Sequence, residues 1–229
     1  MQDLTPEGWL TDAQADRLAA AAARLGPGAR LVEIGSFRGR STIVLARAAP
    51  ADAELIAIDP HLGSDRGPQE FAEQRELGSA DLEAFRSNLL RAGVLERVRH
   101  VRERSQDALG AVTEPVDLLY VDGAHRYGPA RDDLVRWGAR VRDGGTLLVH
   151  DSFSSIGVTL ALLRGVVFGA EWRYRGRVGS LAEYARTPVR GRARLANAAR
   201  QLRELPWFAR NVVVKAMILA RLRRGPWPY

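Results

Sequence analysis

The chain of 229 residues contains no cysteine. That absence removes disulfides, zinc–thiolate sites and a cysteine nucleophile together. Lysine is nearly missing too, with Lys215 alone against 33 arginines, an imbalance that reflects GC-rich coding. No apolar run reaches the roughly 18 residues of a membrane span. The first ten residues carry acids and a proline instead of the basic and apolar run of a secretory leader. These absences predict a cytoplasmic protein. There is also no Gly-x-Gly-x-x-Gly dinucleotide fingerprint, no internal repeat and no long low-complexity segment.

The charge is unevenly spread. The formal net charge is +7, yet residues 187–229 hold ten basic residues and one acid, Glu204. The remainder holds 24 basic and 26 acidic residues. A near-neutral body, 1–186, therefore carries a basic tail, 187–229. Such asymmetry points to an acidic partner for the tail: nucleic acid, anionic lipid or another protein face.

Along the body, short apolar strands alternate with helices at the spacing of βαβ units, which predicts a parallel sheet. Thr11 and Gln14 form a capping box for a helix over 11–25. Strands are expected over 30–34, 55–58, 98–101, 116–121 and 146–150. Asp143-Gly144-Gly145 reads as the turn into the last of these. Helices are expected over 41–49, 80–92, 129–141 and 155–168. Segments 172–174 and 180–184 read as a final antiparallel pair. Residues 61–79, polar and glycine-rich, read as a loop or lid that includes Arg66, Phe71 and Arg75.

In open α/β sheets, ligands bind at the carboxyl ends of the strands, and the acids of this chain collect there. Glu33, Gly35 and Gly39 form an acid-x-Gly-x-x-x-Gly turn between strand and helix, where backbone amides and the helix dipole meet. Asp59 ends the second strand, about twenty residues on, where a carboxylate can accept ribose hydroxyls. Ser105-Gln106-Asp107 follows the third strand, and Asp107 is a candidate acceptor for an adenine amino group. Asp122 and Asp151 end adjacent strands, so their carboxylates are expected to converge. With Ser152 as a third oxygen they suit Mg²⁺. His125, three residues beyond Asp122, is a candidate base for an alcohol. The same residues have plain structural readings. Asp59-Pro60 and Asp122-Gly123 are compatible with turns alone, His125 with a cap or surface residue, and Asp151-Ser152 with a helix N-cap.

These motifs, over about residues 31–184, resemble the class I S-adenosylmethionine (SAM)-dependent O-methyltransferases. The similar branch carries Val-Glu-Ile-Gly-x-x-x-Gly-x-Ser, Asp-Pro-His, Val-Asp-Gly-x-His and His-Asp. It includes sugar and macrolide-sugar enzymes and is related to the Mg²⁺-dependent catechol type. The resemblance implies a Rossmann-like, seven-stranded, mostly parallel α/β sheet with helices on both faces and an antiparallel last strand. It implies SAM as cofactor, with Glu33, Gly35, Ser36, Gly39, Ser41, Asp59, Ser105, Asp107 and Asp122 as binding residues. It puts Mg²⁺ on Asp122, Asp151 and Ser152, although the third position is often Asn in relatives. His125, with Asp122, takes the catalytic place that a lysine holds in the catechol type.

The expected reaction is methyl transfer to a hydroxyl of a sugar, oligosaccharide or glycosylated metabolite. The alternatives are a small phenol or catechol acceptor, or a non-catalytic SAM-binding adaptor. The Asn/Asp-Pro-Pro-Tyr motif of base-amine methylation is missing, which argues against nucleic acid. In the tail, Leu195, Ala199, Leu202 and Leu205 recur at helical spacing. Over 207–224, Val212, Val213, Ala216, Met217, Leu219 and Ala220 make one apolar face, with Arg210, Asn211, Lys215 and Arg221 opposite. That pattern predicts packing of the apolar face on the body or on a homodimer mate. Membrane-surface contact through 195–224, at the inner face, is the other expectation.

Overall fold

The computed structural model describes residues 6–64 and 72–224. Its centre is a seven-stranded sheet of β1 (Arg30–Ile34), β2 (Glu54–Ile58), β3 (Val98–Val101), β4 (Val116–Val121), β5 (Val141–Val149), β6 (Trp172–Val178) and β7 (Leu181–Arg186). The order is β3-β2-β1-β4-β5-β7-β6. Neighbours from β3 to β5 pair parallel, while β7 pairs antiparallel with both β5 and β6. The strand order reverses between β1 and β4, and ligand crevices form at such a switch point.

The inner strands are apolar on both faces because helices cover both. Side chains alternate across the sheet. Leu31, Leu55, Ala57, Leu118, Tyr120 and Leu148 pack on one side with Leu18, Leu45, Phe85 and Leu89. Those partners come from α1 (Asp12–Ala23), α2 (Arg40–Ala48) and α3 (Arg75–Arg91). Val32, Ile34, Ile56, Leu119, Val121 and Leu147 pack on the other side with Leu134, Trp137, Ala161 and Leu162. These lie on or just beyond α4 (Tyr127–Asp132) and α5 (Ile156–Leu162).

The capping box of α1 forms as expected: Gln14 N–H donates to Thr11 Oγ1, and Thr11 N–H to Gln14 Oε1. Several boundaries differ from expectation. α3 begins at Arg75, so the last five residues of the 61–79 segment are helical. Arg66 and Phe71 lie outside the described residues. β5 begins at Val141, which pairs with Val116, whereas Thr146 pairs with Leu118. Arg142–Gly145 is thus an outward bulge within the strand rather than a turn before it. Gly144, at φ +77°, takes the left-handed conformation that the bulge needs. α4 and α5 each run on into a π-helical turn, Asp133–Trp137 and Leu163–Val167.

Two tail helices follow, α6 (Gly191–Leu202) and α7 (Leu205–Leu219). α6 closes the sheet edge. Asn197 accepts from the Tyr174 backbone N–H at 2.8 Å and donates to the Trp172 carbonyl at 3.0 Å. This single amide occupies hydrogen-bonding groups that an edge strand would otherwise leave open.

Candidate active site

A cavity opens at the carboxyl edge of β1, β2 and β4. Its wall includes Gly35, Ser36, Phe37, Arg40, Ser41, Asp59, His61, Ser105, Gln106, Asp122, His125 and Asp133. The glycine turn is dictated by backbone packing. A Cβ on Gly35, at φ +84°, would lie 2.2 Å from the Asp122 carbonyl oxygen. The β1 and β4 turns touch there, and only a residue without a side chain allows it. Gly39, at φ +86°, caps α2, and a Cβ on it would meet Leu89 at 2.6 Å. Gly39 is not part of the cavity wall.

Asp59 organises the turn. Its Oδ2 accepts from the Ser36 and Phe37 amides at 2.9 and 2.8 Å, and its Oδ1 from His61 N–H at 2.8 Å. The His61 ring, which is buried, bonds the Phe37 carbonyl at 2.9 Å. Glu33 lies beneath this floor and is fully buried. Thr42 Oγ1 donates to it at 2.6 Å, and Ser41 Oγ donates to its other oxygen. Burial outweighs both bonds and pushes the Glu33 carboxyl up to about 8.

At the far end of the wall stand Ser105 and Gln106, while Asp107 is exposed and outside it. The carboxylate that does reach the wall there is Asp133, a residue the sequence did not single out. Burial raises it to about 6, and a hydrogen bond from Ser105 opposes that rise. Asp133 opens the π-helical turn after α4, a local irregularity that no motif announces.

The acid pair converges as expected, with two histidines between its members. His125 Nε2 lies 2.8 Å from Asp151 Oδ2. His150 Nδ1 lies 3.1 Å from Asp122 Oδ1 and 3.6 Å from Asp151 Oδ2, off the hydrogen-bond line. Tyr120 OH donates to Asp122 Oδ2 at 2.8 Å. Burial alone would lower the two imidazoles, but the carboxylates outweigh it. His125 is raised and His150 reaches about 10. Asp151 is held well below its usual range by the two histidines, against its own burial.

Asp122, His125 and Asp151 each place a donor atom within 4.8 Å of the others. Asp151 Oδ1 is buried without a hydrogen-bond partner. Two carboxylates with an orphaned oxygen fit a hard cation such as Mg²⁺. Ser152 does not join them. It is fully buried, and its Oγ donates to the Val149 carbonyl at 2.8 Å. The helix behind is α5, whose N-cap is Ser155 rather than Asp151 or Ser152.

Asp151 and Phe153 hold left-handed backbone conformations, at φ +55° and +56°. Such residues persist only when their surroundings over-determine them. Here Ser152 N–H bonds the Ser180 carbonyl at 2.9 Å. Lys215 Nζ, from α7, reaches both Ser154 O and Oγ at 3.0 Å, and Asn211 Nδ2 reaches Phe153 O at 3.5 Å. A tail helix thus braces the loop that carries Asp151. A second brace is Gly157 in α5, where a Cβ would lie 2.1 Å from the His125 carbonyl oxygen.

A family model described as a methyltransferase domain matches residues 32–152, more than half of the chain. A catechol O-methyltransferase of Mycobacterium tuberculosis is 32% identical over 133 residues, covering 58% of this chain and 51% of the relative. One from Niastella koreensis is 26% identical over 126 residues, covering 53% and 48%. The chain therefore spans about half the length of the curated relatives it matches. The O-methyltransferase TomG from Streptomyces achromogenes, solved with SAM, superposes at a TM-score of 0.59 with 21% identity, covering 80% of this chain and 83% of that one. The chain belongs to the methyltransferase-domain family, with the fold of the class I SAM-dependent O-methyltransferases.

Proposed function

We propose that this protein transfers a methyl group from SAM to a hydroxyl of a small polar acceptor, a sugar or glycosylated metabolite. The observation that carries this reading is the His125–Asp151 pair, 2.8 Å apart, with His125 in the wall of the same cavity as the Gly35–Ser41 turn. The turn takes the methionine end of SAM and Asp59 the ribose. Ser105, Gln106 and Asp133 take the adenine. Glu33 acts from below, by fixing Ser41 and Thr42 at the start of α2.

Donation of the Nε2 proton to Asp151 selects one imidazole tautomer and leaves Nδ1 to accept the hydroxyl proton. The sulfonium already supplies a good leaving group, so alignment and deprotonation are the protein's main tasks. Asp122 and Asp151 would hold Mg²⁺, which when bound polarises the acceptor hydroxyl and lowers its pKa. Trp9 and Phe37, with ring centroids 5.1 Å apart, line the mouth and offer flat apolar faces. A sugar's C–H face or a phenol ring fits such a surface. The catechol O-methyltransferase relatives favour a phenol as the second reading.

The test is SAM-to-S-adenosylhomocysteine turnover against a panel of sugars, glycosides and catechols, with Mg²⁺ and with EDTA. Turnover on a glycoside supports the first reading, and on catechols alone the second. His125→Ala should lower turnover by about 10²–10⁴-fold with SAM still bound. Full turnover in that variant removes His125 as the base, and activity untouched by EDTA removes the metal.

A further inference from the structure

The last helix is inserted the wrong way round for a helix that only covers a core. Its inward residues include Asn211, fully buried, and Lys215, whose ammonium is held by Ser154. Most of its outward residues are apolar. Val213 is 58% exposed, Leu219 60%, and Leu222, just past the helix end, 76%. Ala209, Ala216, Met217 and Ala220 are exposed beside them. Of the apolar face read from the sequence, Val213, Ala216, Met217, Leu219 and Ala220 are exposed, while Asn211 and Lys215 from the opposite side turn to the body beside Val214. α6 repeats the pattern, with Asn197 and Gln201 buried and Leu195 72% exposed.

A contiguous outward apolar face marks an interaction surface, and its rim says with what. Arg210 on the helix and Arg221, Arg223 and Arg224 just past its end are exposed. The tail's only acid, Glu204, is turned inward, where it pairs with Arg177 at 2.8 Å and Tyr174 at 3.1 Å. The outward charge of the tail is thus wholly positive. Across a two-fold axis, two such faces would set arginines against arginines. Against anionic headgroups every one of them is attracted, while the apolar face enters the acyl boundary.

We propose that α7 and the residues after it dock this protein in the plane of an anionic lipid bilayer. No helix among the described residues is long and apolar enough to cross a membrane, so the contact is peripheral. It requires nothing of the catalytic assignment. α7 still braces the Asp151 loop with its inner face while its outer face meets the headgroups.

The experiment is vesicle co-sedimentation of the full chain. Vesicles of phosphatidylcholine alone are compared with equal parts phosphatidylcholine and phosphatidylglycerol. The bound fraction should be at least about tenfold higher on the anionic vesicles and fall steeply with salt. Each arginine near the surface is worth about a fivefold gain in partition. Arg221→Glu with Arg223→Glu should therefore lower binding more than about twentyfold. Leu219→Ser with Leu222→Ser should lower it by a similar factor, with the thermal midpoint unchanged in both variants. Equal binding to both vesicle types overturns the proposal, and so does binding that survives both double variants. The proposal also fails if the parent binds no vesicles and is a dimer by light scattering that Leu219→Ser with Leu222→Ser dissolves. A second copy would then be the occupant of the face.

Discussion

α2 and α7 lie at opposite ends of the chain and treat their two faces in opposite ways. α2 buries Ile43, Leu45 and Ala46 in the core. Its first turn sends Ser41 and Thr42 to Glu33, beneath the candidate cofactor turn. α7 buries Asn211 and Val214, sends Lys215 to the loop carrying Asp151, and leaves Val213 and Leu219 outside. Both helices support the site with polar side chains. Only α2 also does so with a conventional apolar face. The comparison teaches that a helix is seated by whatever its neighbour leaves unsatisfied, and apolar area is one such demand among several.

The largest effect expected belongs to the α2 side. Glu33 has a folded-state pKa of about 8 against 4.5 when exposed. The folded state then holds a proton that the unfolded state has lost, and stability falls as pH rises from about 5 to about 8. By linkage this is on the order of several kcal/mol. Chemical denaturation across that window should show the fall, and Glu33→Gln should remove it. A parent protein with a flat profile would mean that Glu33 is ionised where it lies.

Next comes the core face of α2. Ile43→Ser should cost about 3 kcal/mol, through lost burial and a buried hydroxyl. Gly35→Ala, which forces a Cβ onto the Asp122 carbonyl, should cost a similar ~3 kcal/mol. Urea midpoints check both, and an unshifted midpoint for Gly35→Ala would contradict the contact between the β1 and β4 turns.

Lys215→Met tests the inverted helix directly. Methionine is the more apolar residue, so ordinary amphipathic reasoning predicts a neutral or stabilising change. The bracing of Ser154 predicts a loss of about 1–2 kcal/mol. It also predicts a lower kcat at unchanged SAM affinity, because the Asp151 loop loses a tether. Lys215→Arg should recover part of kcat; a merely space-filling role would give no such recovery. The smallest effect should come from Val213→Ser, within about 0.5 kcal/mol in a protein free of lipid. A larger cost would place that face against protein after all.

Much of the body was legible in the residues. Buried runs such as Leu31–Ile34 and Leu118–Val121 end abruptly in Gly35 and Asp122, and the apolar pattern on both faces announces covered parallel strands. The acids Asp59, Asp122 and Asp151 fall at one edge as expected, because strand ends in such sheets share it. Asp133 was hidden, since its place in the wall depends on a π-helical turn without a local signal. Ser152 turns away because it sits in the turn after β5, between the left-handed residues Asp151 and Phe153, where its hydroxyl reaches back to the Val149 carbonyl. Asp107 lies in a turn six residues past β3, where strand periodicity gives no direction, and Ser105 and Gln106 reach the wall instead.

The sequence by itself determined the alternation of strands and helices, the sheet edge on which the acids gather, and the concentration of positive charge in the tail. These follow from short-range periodicity and composition, which tertiary contacts did not override. Only the tertiary structure decided that His125 and His150 stand between the two carboxylates, and which face of α7 turns inward. The reason is hydrogen-bond satisfaction. The strained loop from Asp151 to Ser154 presents carbonyls that water cannot fully reach, and leaving such groups unpaired costs more than a few exposed methyls. Asn211 and Lys215 are the donors within reach, so they turn in and the apolar face turns out.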